Sequence, residues 1–161
     1  MKRDLQNALD NVEMTYSELV QIANDMTRDV FEEVDSIVNS IEENKLYTMP
    51  ADTIREYILR LSLKSYRLSE IKEKSSLKQE CAETLRKEKY AVSFNGIEGT
   101  VAFKENSALV SISEEVLVEA IYSLVASLFK TKLDEIHRFL DSLKSILISQ
   151  LQEAKIVNMT E

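Results

Sequence analysis

The segment Tyr90–Ile112, YAVSFNGIEGTVAFKENSALVSI, is the one part of this chain that does not follow a helical pattern, and it contains both glycines. Apolar residues alternate there with small or polar residues in three short runs, which is the period of a β-strand. Asn95-Gly96 is a strong hairpin signal because both residues tolerate positive φ. We therefore predict a three-stranded antiparallel β-meander at about residues 90–112, with Asn95 and Gly96 in its first turn.

Long helices are predicted on both sides of this meander. The chain has 161 residues but only two glycines and one proline, so it has few residues suited to turns. The predicted fold class is mainly α: a long antiparallel helical hairpin over residues 1–89, the meander at 90–112, and an apolar C-terminal helix or helix pair over 113–157. We treat the three segments as one domain.

The first predicted helix carries its apolar residues at alternating steps of three and four, as in a coiled-coil seam. Such a helix needs a partner helix to cover the seam. Two consecutive steps of four, from Met26 to Val30 and on to Val34, are the mark of an inserted stutter. The seam before that point consists of Leu5, Leu9, Val12, Tyr16, Leu19, Ala23, Met26 and Val30.

The second predicted helix runs from about Thr53 to Glu88. Its seam is interrupted by polar residues at 72–76, where we expect a kink, a frayed turn or solvent exposure. Because Cys81 follows the seam, we predict a buried structural thiol. The seam residues are Ile54, Ile58, Leu61, Leu68 and Ile71 before the interruption, and Leu77, Cys81 and Leu85 after it.

Charge differs sharply between these two helices. Residues 1–44 contain three basic and eleven acidic side chains, whereas residues 55–89 contain ten basic and six acidic ones. Flanking charges of opposite sign favour pairing of the two helices and select its direction. The whole chain has a formal net charge of -8.

The C-terminal helix has an apolar face too wide for a simple coiled-coil seam, which indicates burial by more than one neighbour. We expect it to take part in a homo-oligomer or in contacts with another protein. The residues predicted to make these contacts are Leu117, Ile121, Leu124, Leu128, Leu140 and Leu147.

Catalytic, cofactor and metal signatures are not found in the sequence. Strand-like residues follow Gly96 and Gly99, whereas a phosphate-binding loop is followed by a helix. His137 is the single histidine, and we interpret it as solvated or ion-paired. We therefore expect no enzyme activity, no cofactor and no metal site.

The amino acid sequence points to the cytoplasm. Cys81 is the single cysteine and cannot form an internal disulfide. The apolar run from Val116 to Phe129 is interrupted by polar residues and is shorter than the roughly 20 residues of a membrane span. We expect a cytoplasmic protein without a membrane-spanning segment.

Three functional hypotheses follow. The first is a non-enzymatic protein-interaction or assembly subunit that uses coiled-coil-like helical surfaces. The second is an acidic inhibitor, of the kind found in phages or mobile elements, that blocks a nucleic-acid-processing enzyme through Asp25, Asp29, Glu32, Glu33 and Asp35. The third is nucleic-acid binding through the basic helix 55–89, with contacts from Arg60, Lys64, Arg67 and Lys74. No family is recognised from the motifs in the chain.

Overall fold

The structure, a computed structural model, describes the backbone of residues 2–43 and 48–160 and the side chains of residues 12–41 and 48–156. The predicted seam positions Leu5 and Leu9 lie outside the described side chains. The helices are α1 (Lys2–Glu43), α2 (Ala51–Gly96), α3 (Val101–Ser111) and α4 (Ser113–Thr160). No strand occurs in the described part of the chain. The helical-bundle character is confirmed, and the predicted β-meander is wrong.

A helix end, a short turn and a helix start occupy the segment that we predicted to be a meander. Asn95 and Gly96 are the last residues of α2, and glycine commonly ends a helix as readily as it forms a hairpin turn. Gly99 has φ of +143° and reverses the chain. Thr100 then caps α3, where its hydroxyl oxygen accepts a hydrogen bond from the backbone N–H of Phe103.

The alternation of apolar and polar residues in this segment does not correspond to the buried face of a strand. Ala108 is the one residue of α3 that is buried, while Phe103 and Val110 are exposed. A three-stranded meander needs a surface to cover its apolar face, whereas a helix satisfies its backbone hydrogen bonds within itself. The short helix therefore forms although its apolar side chains are left in solvent.

Two compact units make up the fold. Unit 1 consists of Met1–Thr27 and Glu73–Ser127, and unit 2 consists of Arg28–Lys72 and Leu128–Glu161. Each of α1, α2 and α4 contributes one segment to each unit, and α3 belongs to unit 1.

Unit 2 has a core of large aliphatic and aromatic side chains. Phe129 is fully buried, and its ring packs edge-on against Phe31 with centroids 5.3 Å apart. Hydrogen bonds join Asp35 to Lys132 at 2.6 Å and Ser65 to His137 at 2.9 Å. The buried apolar residues are Val34, Ile37, Ile41, Met49, Ile54, Leu61, Leu68, Phe129, Leu133, Ile136, Leu140 and Leu143.

Unit 1 buries mainly small side chains. Its buried apolar residues among those described are three alanines, Ala23, Ala82 and Ala108, together with Ile112 and Val125. On α1, Thr27 is buried in place of the predicted seam residue Met26, which is exposed. The Thr27 hydroxyl donates a hydrogen bond to the backbone carbonyl of Ala23 at 3.1 Å, so its burial leaves no hydroxyl unsatisfied.

The second half of α2 presents its apolar residues to solvent. The nine-residue step from Leu68 to Leu77 turns an α-helix by about 180°. Leu68 is buried, whereas Leu77 on the opposite side is exposed, and Cys81 and Leu85 are exposed as well. The prediction of a buried thiol at Cys81 is wrong for this reason. The helix continues through residues 72–76 and ends at Gly96 instead of Glu88.

The C-terminal segment is a single helix. α4 passes without interruption through residues 130–132, where the apolar pattern slips by one position. Phe129 and Leu133 are both buried on either side of that slip. The four-residue step between them keeps the same side of the helix toward the core of unit 2.

Alanine substitutions at Gly99 and Gly96 test the role of the turn before α3. We expect Gly99→Ala to lower the free energy of unfolding by about 1–3 kcal/mol, because positive φ disfavours an L side chain. A Cβ at Gly99 would also lie 2.9 Å from Cδ1 of Phe103, whereas a Cβ at Gly96 would meet no atom within 4 Å. Urea unfolding followed by circular dichroism measures both variants.

Gly96→Ala is the matched control for this experiment. Its expected change is within about 1 kcal/mol and of either sign, since Gly96 is the last residue of a helix and has no positive φ. Equal destabilisation by the two variants would contradict the role assigned to the Gly99 turn.

Candidate interaction surface

The outward face of the short helix α3 is an exposed apolar surface of unit 1. Phe103 and Val110 are seven residues apart and therefore lie on one side of the helix, with Asn106 between them. Phe103 is 57% exposed and Val110 is 76% exposed. Val101 and Leu109 are also exposed. We call Phe103, Asn106 and Val110 the α3 face.

Contacts at both ends hold α3 in place within unit 1. The Thr100 hydroxyl caps its first turn, as described above. The Ser111 hydroxyl donates a hydrogen bond to the Ser93 hydroxyl of α2 at 2.8 Å. The Lys104 ammonium lies 5.9 Å from the centroid of the Phe94 ring, within the range of a cation–π contact. The α3 face is thus presented by a fixed helix.

A shallow groove lies beside the C-terminal end of α3. It has a volume of about 380 Å³ and lies between α2 and the α3–α4 junction. Leu109 contributes an exposed apolar wall to it, and Tyr90 adds an aromatic one. The groove is lined by Arg86, Lys87, Tyr90, Leu109 and Ile112. Its size and lining are suited to an apolar or aromatic side chain of a partner.

Two ion pairs fix α2 against α4 next to this groove. Arg86 donates to Glu119 at 2.5 Å, and Lys89 donates to Glu115 at 2.6 Å. The hydrogen bond from Lys89 is the main reason why the pKa of Glu115 lies below its ordinary value. The basic side chains beside the groove therefore have acidic partners inside unit 1.

The structure does not collect the predicted contact residues of α4 on one exposed surface. Leu117 is exposed in unit 1, whereas Leu140 is buried in the core of unit 2. The remaining four, Ile121, Leu124, Leu128 and Leu147, are half-buried.

The predicted nucleic-acid contacts are partly engaged in intramolecular interactions. Lys64 is half-buried and forms an ion pair with Glu33 of α1. The Arg60 guanidinium lies 5.8 Å from the centroid of the Tyr57 ring. Arg67 and Lys74 are exposed, and Lys74 interacts within its own chain. Glu33 and Lys64 thus form an ion pair between the acidic α1 and the basic α2 in unit 2.

The acidic residues predicted for the inhibitor hypothesis are likewise partly exposed and partly engaged in ion pairs. Asp25, Asp29 and Glu32 are exposed, while Glu33 and Asp35 bind Lys64 and Lys132. Burial lowers the pKa of Lys132, but the hydrogen bond and charge of Asp35 outweigh it, so the pKa is raised. Two of these acidic residues thus stabilise unit 2 directly.

His137 and Cys81 are the remaining side chains that carry a potentially reactive or metal-ligating group. His137 is exposed and contacts the Ser65 hydroxyl through Nε2. No group of three or more metal-ligating side chains capable of holding an ion was found among the described residues. Within the same ranges, no helix combines the length and apolar character required to cross a membrane.

Comparisons with protein-family models, curated proteins and solved structures gave no match. The α3 face itself escaped the sequence analysis. The usable signal was Thr100 as an N-cap, followed by the helix-compatible residues Ala102, Lys104 and Glu105.

The acid-sensitivity of unit 2 tests the Glu33–Lys64 pair. The hydrogen bond and charge of Lys64 lower the pKa of Glu33 in the folded chain. Its stabilisation is therefore present above the unfolded-state pKa and is lost as the pH falls through the folded-state pKa. We expect Glu33→Gln to be less stable than the wild type at neutral pH, with the difference shrinking as the pH falls through the lowered pKa of Glu33.

Urea midpoints measured across this pH range give the comparison. Glu32→Gln, which alters an exposed neighbouring glutamate, is the control and should follow the wild-type profile. A difference between Glu33→Gln and the wild type that persists unchanged at low pH would contradict the ion-pair interpretation.

Proposed function

We propose that this chain is a non-enzymatic protein-interaction or assembly subunit that binds a protein partner through the α3 face. One observation carries the proposal: α3 buries only Ala108 while Val101, Phe103, Leu109 and Val110 remain exposed. An 11-residue helix with this distribution is not explained by packing within unit 1. Burial of its outer face in a complex would remove that apolar area from water.

The geometry suits recognition by a groove on the partner. Side chains at positions i, i+3 and i+7 of an amphipathic helix are the usual anchors when a helix enters an apolar groove. Phe103 and Val110 would be the apolar anchors, and Asn106 would provide a polar contact between them. Because the Thr100 cap fixes the first turn, little conformational entropy would be lost on binding.

The partner that fits this face is apolar. α3 contains one basic and one acidic side chain, Lys104 and Glu105. It therefore has no row of basic side chains that could bind the phosphates of a nucleic acid. The acidic-inhibitor and nucleic-acid hypotheses remain predictions from the sequence. Neither gains support from the ion pairs, which neutralise Lys64, Glu33 and Asp35 within the chain.

A cytoplasmic location and self-association belong to the same proposal. The single cysteine is compatible with the reducing cytoplasm. The exposed apolar residues of unit 1 support assembly with further copies or with other subunits, without a cofactor or a catalytic step.

Affinity capture from a nuclease-treated native lysate tests the α3 face. We expect the wild type to retain at least one protein and Phe103→Ser/Val110→Ser to retain it at least about tenfold less well, because two central apolar anchors are lost. Quantitative mass spectrometry measures the captured protein, and circular dichroism checks that the helix content is unchanged.

Leu59→Ser/Leu63→Ser is the matched control, since both leucines are exposed on α2 in unit 2. It should capture the partner as the wild type does. If Phe103→Ser/Val110→Ser captured the partner as well as the wild type does, the α3 face would not be the binding surface. Strong, salt-sensitive binding of labelled DNA or RNA by the purified chain would instead favour the nucleic-acid hypothesis.

A further inference from the structure

A second apolar surface lies on α2 in unit 1, on a side of the helix that is exposed to solvent. Leu77 and Leu85 are 60% and 61% exposed, and Cys81 between them is exposed as well. Lys74 and Glu88 extend the same side by one turn in each direction. We call Lys74, Leu77, Cys81, Leu85 and Glu88 the α2 stripe.

One flank of the stripe is open to solvent, and on the other flank the Lys78 ammonium lies 5.7 Å from the centroid of the Tyr122 ring of α4. The residues that flank the α2 stripe on one side, Glu73, Glu80, Thr84 and Lys87, are all exposed. The buried residues of this part of α2, Ser75 and Ala82, are small and do not belong to the stripe. A second helix can therefore lie along the stripe without displacing a side chain of the unit 1 core.

The stripe is symmetric about Cys81. Leu77 and Leu85 are each four residues from it, and Lys74 and Glu88 are each seven residues from it. If two copies of α2 lie antiparallel with Cys81 on the two-fold axis, Leu77 of each copy faces Leu85 of the other. Lys74 likewise faces Glu88, so both the apolar and the charged positions match.

Parallel pairing of the same stripe is disfavoured by charge. In that arrangement Lys74 would face a second Lys74, and Glu88 would face a second Glu88. Lys74 already interacts within its own chain, and a lysine ammonium has three N–H donors, so an added contact with Glu88 is compatible with that interaction. The sequence of the stripe thus selects the antiparallel orientation.

Charge balance also points to a second copy of this chain as the occupant. The whole chain carries a net charge of -8, and residues 1–44 alone contain eleven acidic and three basic side chains. Residues 74–88 contain four basic and three acidic side chains, so two copies of this segment approach without strong repulsion. α2 is better suited to self-association than α1.

We propose that two copies of this chain associate through the α2 stripe, in antiparallel orientation about Cys81. This inference rests on the proposed assembly function and names a surface and a partner for it. About four helical turns per chain would be in contact. The area buried by this contact would be smaller than the roughly 1,200–2,000 Å² of a standard interface, so the dissociation constant should be on the order of micromolar.

Sedimentation equilibrium of the purified full chain under reducing conditions measures the association. We expect a monomer–dimer equilibrium for the wild type and no detectable dimer for Leu77→Asn. Ile148→Asn is the matched control, because Ile148 is similarly exposed but lies on α4 in unit 2, and it should dimerise as the wild type does. Since Leu77 is exposed, its replacement should leave the circular dichroism spectrum unchanged.

A charge exchange tests the register. Lys74→Glu should weaken the dimer about tenfold, because it replaces two attractive contacts by two repulsive ones. Lys74→Glu/Glu88→Lys should restore the wild-type affinity. Failure of the double variant to restore dimerisation would overturn the proposed pairing.

Cysteine cross-linking tests the orientation. In a Cys81→Ala background, Leu77→Cys and Leu85→Cys should cross-link when the two proteins are mixed with diamide, while neither should cross-link alone. Each disulfide forms as two thiols transfer two electrons and two protons to diamide, which is reduced to its hydrazine. Cross-linking of Leu77→Cys alone would show a parallel arrangement and overturn the proposal.

The two proposals fail in distinguishable ways. A wild-type chain that remains monomeric at high micromolar concentration, but still captures a protein through the α3 face, excludes the dimer and leaves the proposed function standing. An unchanged dimer in Leu77→Asn also excludes the α2 stripe. A chain that binds neither a second copy nor any other protein overturns both proposals.

Discussion

The change from large to small residues along the buried side of α2 is the constraint on which much of this structure depends. Up to Leu68 the buried side of α2 carries the large residues Ile54, Leu61 and Leu68, whereas beyond it Leu77 and Leu85 lie on an exposed side. A continuous helix cannot rotate one half against the other without breaking its hydrogen-bonded turns. The helix therefore keeps one side buried along its length, and in unit 1 that side offers Ser75 and Ala82.

The composition of the two cores follows from this constraint. Unit 2 buries leucines, isoleucines and Phe129, whereas the described part of unit 1 buries three alanines, Ile112 and Val125. Since apolar stabilisation scales with the area removed from water, the described part of unit 1 gains less from its internal packing than the described part of unit 2 does. Its large apolar residues are instead available on α2 and α3. The two surfaces that we connect with assembly both belong to this less deeply packed unit.

Ion pairs between helices add specificity in both units. Arg86–Glu119 and Lys89–Glu115 join α2 to α4 in unit 1, and Lys64–Glu33 and Lys132–Asp35 join helices in unit 2. Partly exposed pairs of this kind contribute little net stability each, but they penalise alternative helix registers. The contrast in charge between the first two helices was visible in the sequence. The identity of each partner required the structure, because register decides which side chains meet.

The sequence by itself determined that the described chain is helical over long stretches, because it contains few residues suited to turns and many apolar residues at helical spacing. It also determined the contrast in charge between the acidic α1 and the basic α2. Tertiary structure decided that residues 90–112 form a helix end, a turn at Gly99 and α3, since Asn-Gly and alternating apolar residues are compatible with either a hairpin or a capped helix. It also decided which apolar side of α2 is buried. Periodicity identifies an apolar side of a helix, but only the positions of neighbouring helices determine whether that side is covered.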